Sequence, residues 1–169
     1  EIEEILPHIR YVSTHPMAGR EKVGYFNRDK KMFMNANFLI VKSQNSTVKD
    51  MKLIEGLAKE IGFGIITTLD PREHDQLIAH TSQLTHLLAV GLMLSDSSIH
   101  TKDATGDSFR DLTRIAKINE DMWTELFLDN KDGFDLFNNM SSHIPYNISI
   151  TFSAFLSSVS ILLSMYLLP

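Results

Sequence analysis

Apolar and polar positions follow two textures along the chain. From Ile9 to about Thr68, short apolar runs are bounded by turn residues: Ile9-Arg10-Tyr11-Val12, Asn37-Phe38-Leu39-Ile40-Val41 and Gly64-Ile65-Ile66-Thr67-Thr68. Their length and β-branching predict strands. Between the second and third runs, Val48, Met51, Leu53, Ile54, Leu57, Ala58 and Ile61 recur at helical spacing. This predicts a helix over Ser46 to Ile61, with Ser46 or Thr47 as its N-cap. Strand, helix, strand is an α/β signature, and three strands are too few for a complete doubly wound sheet.

At Asp70-Pro71-Arg72-Glu73 the texture changes. Asp is a good N-cap, Pro suits the first helical position, and Glu73 can bond back as in a capping box, so a long helix is expected from there to about Leu94. Ser95 to Ser108, polar and containing Gly106, reads as a loop. Two more helices are expected, roughly Phe109 to Ile118 and, after an Asn119 cap, Glu120 to about Phe137. No Lys, Arg, Asp or Glu follows Asp135, and Ile148 to Leu168 mixes Ser and Thr with apolar residues over a length that could span a bilayer. A buried helix or hairpin, a membrane anchor, and a tail unrelated to the rest are the competing readings. The hydroxyls and the lack of a flanking basic cluster weigh against the anchor, so a membrane is not the expected partner.

Composition narrows the function classes. The 169 residues are 43% hydrophobic and 22% charged, enough to bury the core of one domain, or of one domain plus a fragment. A net charge of −5 argues against nucleic acid, which is held by clustered Lys and Arg. The expected partner is a small molecule. Without cysteine there is no disulfide, zinc knuckle or catalytic thiol, which fits the cytoplasm. The start, Glu1-Ile2-Glu3-Glu4-Ile5-Leu6, lacks the basic opening and apolar core of a secretion signal and reads as a cut from something longer.

Three places carry candidate chemistry. At about 100° per residue, Asp75, Ala79, Ser82 and His86 fall on one stripe of the first long helix, while His80 points towards Leu77, Leu84 and Leu87. The plain alternative is a core His80 and a solvated or subunit-facing stripe. On the next helix Phe109, Leu112, Ile115 and Ala116 form an apolar face beside a basic stripe of Arg110, Arg114 and Lys117, suited to a carboxylate or phosphate. Solvation, or an Asp111 to Arg114 pair, is the alternative there. His15, before Pro16 at the end of the first predicted strand, is positioned for proton chemistry, although most His-Pro turns are only turns.

His15-Pro16-Met17-Ala18-Gly19, His74-Asp75, Ser82-Gln83-Leu84-Thr85-His86, Phe109-Arg110-Asp111-Leu112-Thr113-Arg114-Ile115-Ala116, and Asn119, Met122 and Trp123 before Phe127-Leu128-Asp129-Asn130-Lys131 occur in that order. As an ordered set over about Tyr11 to Asp132, they resemble the prephenate and arogenate dehydrogenase family. The resemblance implies an α+β chain. Residues 1–69 would be the C-terminal part of a Rossmann-type NAD(P)-binding domain, and residues 70–137 an all-α, 6-phosphogluconate-dehydrogenase-like domain for substrate binding and dimerisation. Residues 138–169 would be an uncharged tail of uncertain origin. It also implies oxidative decarboxylation of prephenate or arogenate in tyrosine biosynthesis, with hydride passing to NAD or NADP, by a cytoplasmic homodimer.

By the same resemblance His15 matches the histidine that accepts a hydrogen bond or proton from the ring hydroxyl. Arg114 matches the arginine that holds a substrate carboxylate, and His86, Asp111 and Ser82 belong to the substrate pocket. No metal is implied. Three departures stand out. Many relatives carry histidine where Gln83 stands and proline where Thr85 stands. The glycine-rich βαβ unit that holds the cofactor pyrophosphate, and a serine that partners the catalytic histidine, would lie upstream of Glu1. The uncharged tail replaces a charged amphipathic helix. Turnover by this stretch alone is therefore expected to be small or nil.

Two other classes remain. A metal-dependent hydrolase is suggested by His74-Asp75 and the seven histidines. Against it, His74, His80 and His86 share no helical face and no His-Glu-x-x-His pair exists. A non-catalytic helical dimerisation module tethered to a membrane by its tail is the third.

Overall fold

A computed structural model describes residues 2–5, 7–19 and 24–130. Two compact units divide the chain, Glu1–His74 and Asp75–Pro169. The helix expected to reach Phe137 is described only to Asp129, and the tail from residue 138 lies outside the described residues.

The first unit opens with a helical turn, α1 (Ile2–Ile5), and then forms β1 (Ser13–Met17), β2 (Asn37–Val41), α2 (Val48–Ile61) and β3 (Ile66–Leu69). The strand order is β1-β2-β3. β1 runs antiparallel to β2 with His15 opposite Leu39, and β3 runs parallel to β2 with Leu39 opposite Thr67. Asn37–Val41 is a strand with the expected bounds. The first strand lies further on than Ile9–Val12. In that segment the carbonyls are taken by side chains instead of a ladder: Ser43 Oγ donates to Tyr11, and Asn45 Nδ2 to Pro7 and Ile9. Pairing is left to Ser13–Met17, whose Pro16 is tolerated because β1 is an edge strand.

Phe38 and Ile40 point to the α2 side of the sheet, where they form the core with Ala58 and Phe63, flanked by Met51, Ile54 and Ile66. Phe63 lies 4.7 Å from the Phe38 ring and 5.3 Å from that of Phe33. Each such buried aromatic contributes about 2–3 kcal/mol. Of the two candidate caps, Thr47 closes α2: its Oγ accepts from Asp50 N while the Asp50 carboxylate accepts from Thr47 N, a capping box. Gly62, at φ 102°, ends the helix in the left-handed region that favours glycine.

Asp70 links β3 to the next helix as expected: its Oδ1 accepts from Glu73 N, its carbonyl accepts from His74 N, and Pro71 is the first helical residue. The helical run Pro71–Leu94 is long and apolar enough to cross a membrane by length and composition. It is not uniform. α3 (Pro71–Ile78) passes through a π turn, Ala79–Gln83, into α4 (Leu84–Leu94). A π turn bonds i to i+5 and inserts one residue relative to an α-helix, so residues after Gln83 are out of phase with those before Ala79. The expected stripe is therefore broken: Ala79 is fully buried, Asp75 is exposed, and Ser82 and His86 are half-buried. His80 is exposed, not packed among leucines.

In the second unit a short helix, α5 (Thr101–Ala104), interrupts the predicted loop. It is followed by α6 (Asp107–Thr113), a 3-10 turn at Arg114–Ala116, and α7 (Glu120–Asp129). Asn119 Oδ1 caps α7 by accepting from Met122 N. α4 packs against α6 and the 3-10 turn. Gln83, only 3% exposed, donates from Nε2 to Leu126 O on α7 at 2.9 Å, and its Oε1 accepts from Asn130 Nδ2 at 2.8 Å.

Candidate active site

In the first unit His15 sits in the middle of β1, not at a strand end, on the sheet face opposite α2 and beside Leu39. His74 lies one turn into the helix that Asp70 starts. The two imidazoles meet there: His15 Nδ1 and His74 Nε2 are 3.0 Å apart, with ring planes tilted at 54°. At that distance one nitrogen donates and the other accepts. Burial, and secondarily the charge of a protonated His74, hold the His15 pKa below its ordinary 6.5, which favours the neutral imidazole that proton acceptance needs. Among the described residues no hydrogen bond is made by His15 Nε2.

In the second unit His86 Nδ1 lies 2.8 Å from the Ser82 carbonyl. A carbonyl only accepts, so Nδ1 carries the proton and Nε2 of the neutral ring bears the lone pair. Thr85 Oγ1 donates to the same carbonyl. The His86 ring stacks on Trp123, with centroids 3.9 Å apart, and Trp123 in turn meets Phe127 at 5.5 Å. Ser82 and His86 are thus brought together, Ser82 through its backbone. Asp111 on α6 and Arg114 on the 3-10 turn are exposed, on the elements against which α4 packs. The neighbouring Arg110 is held by the Asp107 carboxylate and the Thr105 carbonyl, and it lines a cleft of about 320 Å³ with Met93, Ile99 and Phe109.

In the sequence His74 stands out only as half of a His-Asp pair, and nothing there joins Trp123 to His86. The first contact spans 59 residues, and no local pattern encodes it. The Asp70 cap was the usable signal, since it fixes where the helix leaves β3.

No group of three or more His, Cys, Asp or Glu among the described residues is placed to hold a metal ion. At the start of α2 the Asp50 carboxylate already occupies the anion position, bonded to Thr47.

Residues 70–152 match the family model described as prephenate dehydrogenase, dimerization domain. The prephenate dehydrogenase of Lactococcus lactis subsp. cremoris is 30% identical over 143 residues, which cover 80% of this chain and 38% of that protein. Residues 70–152 are thus identified as a prephenate dehydrogenase dimerization domain. The cyclohexadienyl dehydrogenase of Zymomonas mobilis is 28% identical over 76% of this chain and 46% of its own length. Among solved structures, Aquifex aeolicus prephenate dehydrogenase in complex with hydroxyphenyl propionate and NAD+ has a TM-score of 0.70 at 26% identity. That match covers 95% of this chain and 60% of the Aquifex chain. Synechocystis arogenate dehydrogenase shares the fold, with a TM-score of 0.68 at 17% identity over 96% of this chain and 60% of its own. The chain spans less than half the length of the Lactococcus and Zymomonas proteins and 60% of the two solved chains.

Proposed function

We propose that this chain is the substrate-handling portion of an enzyme that oxidatively decarboxylates prephenate or arogenate, to 4-hydroxyphenylpyruvate or tyrosine, in the cytoplasm. Residues 1–69 are read as the C-terminal part of an NAD(P)-binding domain of Rossmann type, and residues 70–137 as the helical substrate-binding and dimerisation domain of a homodimer. The observation that carries the reading is the half-buried His15, its Nδ1 held by a second imidazole and its pKa lowered, so that it is neutral and can accept.

His15 takes the hydrogen bond or proton of the ring hydroxyl. As that proton is withdrawn, electron density on the oxygen assists departure of hydride from ring carbon 4, while the ring carboxylate leaves as carbon dioxide and the ring becomes aromatic. NAD or NADP, bound largely by residues outside those described, supplies the hydride acceptor. Arg114 holds a substrate carboxylate through its planar two-donor fork, an exposed cation fitted to that task. His86, fixed in one tautomer and stacked on Trp123, offers its Nε2 to the substrate. Ser82 sets that tautomer through its carbonyl, and Asp111 orients neighbouring groups.

The test is nicotinamide reduction by the gene product that contains this chain, with prephenate and arogenate supplied separately. Reduction that depends on either one is expected. Reduction with neither would overturn the reading.

A further inference from the structure

The pairing of His15 with His74 has two arrangements with different chemical outcomes. In one, His15 Nδ1–H donates to a lone pair on His74 Nε2, and His15 Nε2 bears a lone pair. In the other, His74 Nε2–H donates, and a neutral His15 carries its proton on Nε2, where it can only give a hydrogen bond. The 3.0 Å separation admits a single proton between the rings in either case.

Only the first arrangement lets His15 take up a proton without breaking the pair. When Nε2 is protonated, the Nδ1–H of the imidazolium still donates to His74, and the bond becomes charge-assisted. Both rings come from fixed backbone. His15 is locked opposite Leu39 in the β ladder and followed by Pro16, whose φ is restricted; His74 follows the Asp70 cap and Pro71. We propose that His74 is the positioning residue of His15: its Nε2 lone pair holds the Nδ1–H of His15, leaving Nε2 of His15 as the proton-accepting nitrogen. The choice of tautomer rests on the reading of His15 as proton acceptor, whereas its measurement does not depend on turnover.

Imidazole nitrogen NMR on the uniformly labelled chain reads the tautomer directly, with His15 signals assigned by their loss in His15→Asn. His15 is expected to show a protonated Nδ1 and an unprotonated Nε2. In His74→Phe, which keeps a ring but offers no acceptor, the ratio of Nδ1–H to Nε2–H forms should fall about five- to tenfold. In His74→Gln, whose side-chain carbonyl can accept the same N–H, the ratio should be retained. An Nε2–H form of His15 in the unaltered chain, an unchanged ratio in His74→Phe, or a lost preference in a folded His74→Gln would each overturn the proposal. In the gene product containing this chain, His74→Phe should lower kcat with KM within about twofold and His74→Gln should restore it, by the split between positioning and binding. Absence of turnover with prephenate and arogenate would sink the functional reading and leave the NMR result standing, so the two failures are separable.

Discussion

Replacing Gln83 by leucine tests whether a buried amide ties the long helix to α7. The side chain is 3% exposed and makes two bonds, from Nε2 to Leu126 O at 2.9 Å and from Asn130 Nδ2 to Oε1 at 2.8 Å. Leucine fills nearly the same volume but leaves the Leu126 carbonyl without this donor. Asn130 keeps its second acceptor, the Asp75 carbonyl at 2.8 Å. One carbonyl that loses its partner costs about 1–3 kcal/mol. Gln83→Ala should cost about 1–2 kcal/mol more, because it also leaves a void. The single tryptophan, Trp123, lies on α7 and reports on this unit by fluorescence during urea unfolding. With a urea slope of about 1–3 kcal/mol per molar, Gln83→Leu should lower the midpoint by roughly 1 M. A double-mutant cycle with Asn130→Ala should give a coupling of about 0.5–1.5 kcal/mol. An unchanged midpoint, or a coupling under about 0.3 kcal/mol, would refute the idea that these bonds hold the helices together.

Other perturbations give signs as well as sizes. A Cβ on Gly64 would lie 3.0 Å from Asn35 O and 3.3 Å from Asn35 C and Cα, so Gly64→Ala should destabilise the first unit by about 1–3 kcal/mol in urea titrations. Gly56, inside α2 with nothing within 4 Å of such an atom, should give the opposite sign, about 0.5–1 kcal/mol of stabilisation on Gly56→Ala. Because the folded-state pKa of His15 lies below 6.5, the unfolded chain binds the proton more readily. The stabilising contribution is whole above pH 6.5 and is lost as pH falls from there through the lowered value. Urea midpoints measured across that window should lose this component in His15→Asn. In the gene product containing this chain, His15→Asn should lower kcat by about 10²–10⁴-fold. Arg114→Ala should mainly raise KM, by roughly 10–100-fold, and the reverse pattern would mean the roles are misassigned.

What the sequence disclosed follows from how local each determinant is. β2 was readable because its apolar run is central and buried, with Ile40 only 1% exposed. The caps at Thr47, Asp70 and Asn119 were readable because the side chain and the amide it serves lie within three residues. β1 was misplaced because Ser13–Met17 has little strand character of its own and is selected by pairing with residues 37–41. His15, Ser82, His86, Asp111 and Arg114 were singled out from motif and resemblance. What their neighbourhoods contain came from contacts between distant segments: His15 with His74, and His86 with Trp123.

The π turn at Ala79–Gln83 bears on how this helix can change length. Losing one residue from an α-helix ordinarily rotates everything beyond the deletion by about 100° and ruins its packing. Between Ile78 and Leu84 the surplus residue is already present. A chain one residue shorter there can close a regular helix without a break, although Gln83 and His86 would have to find new registry with Leu126 and Trp123. The interior of this helix, far from any loop, is thus a place where a single codon can be gained or lost.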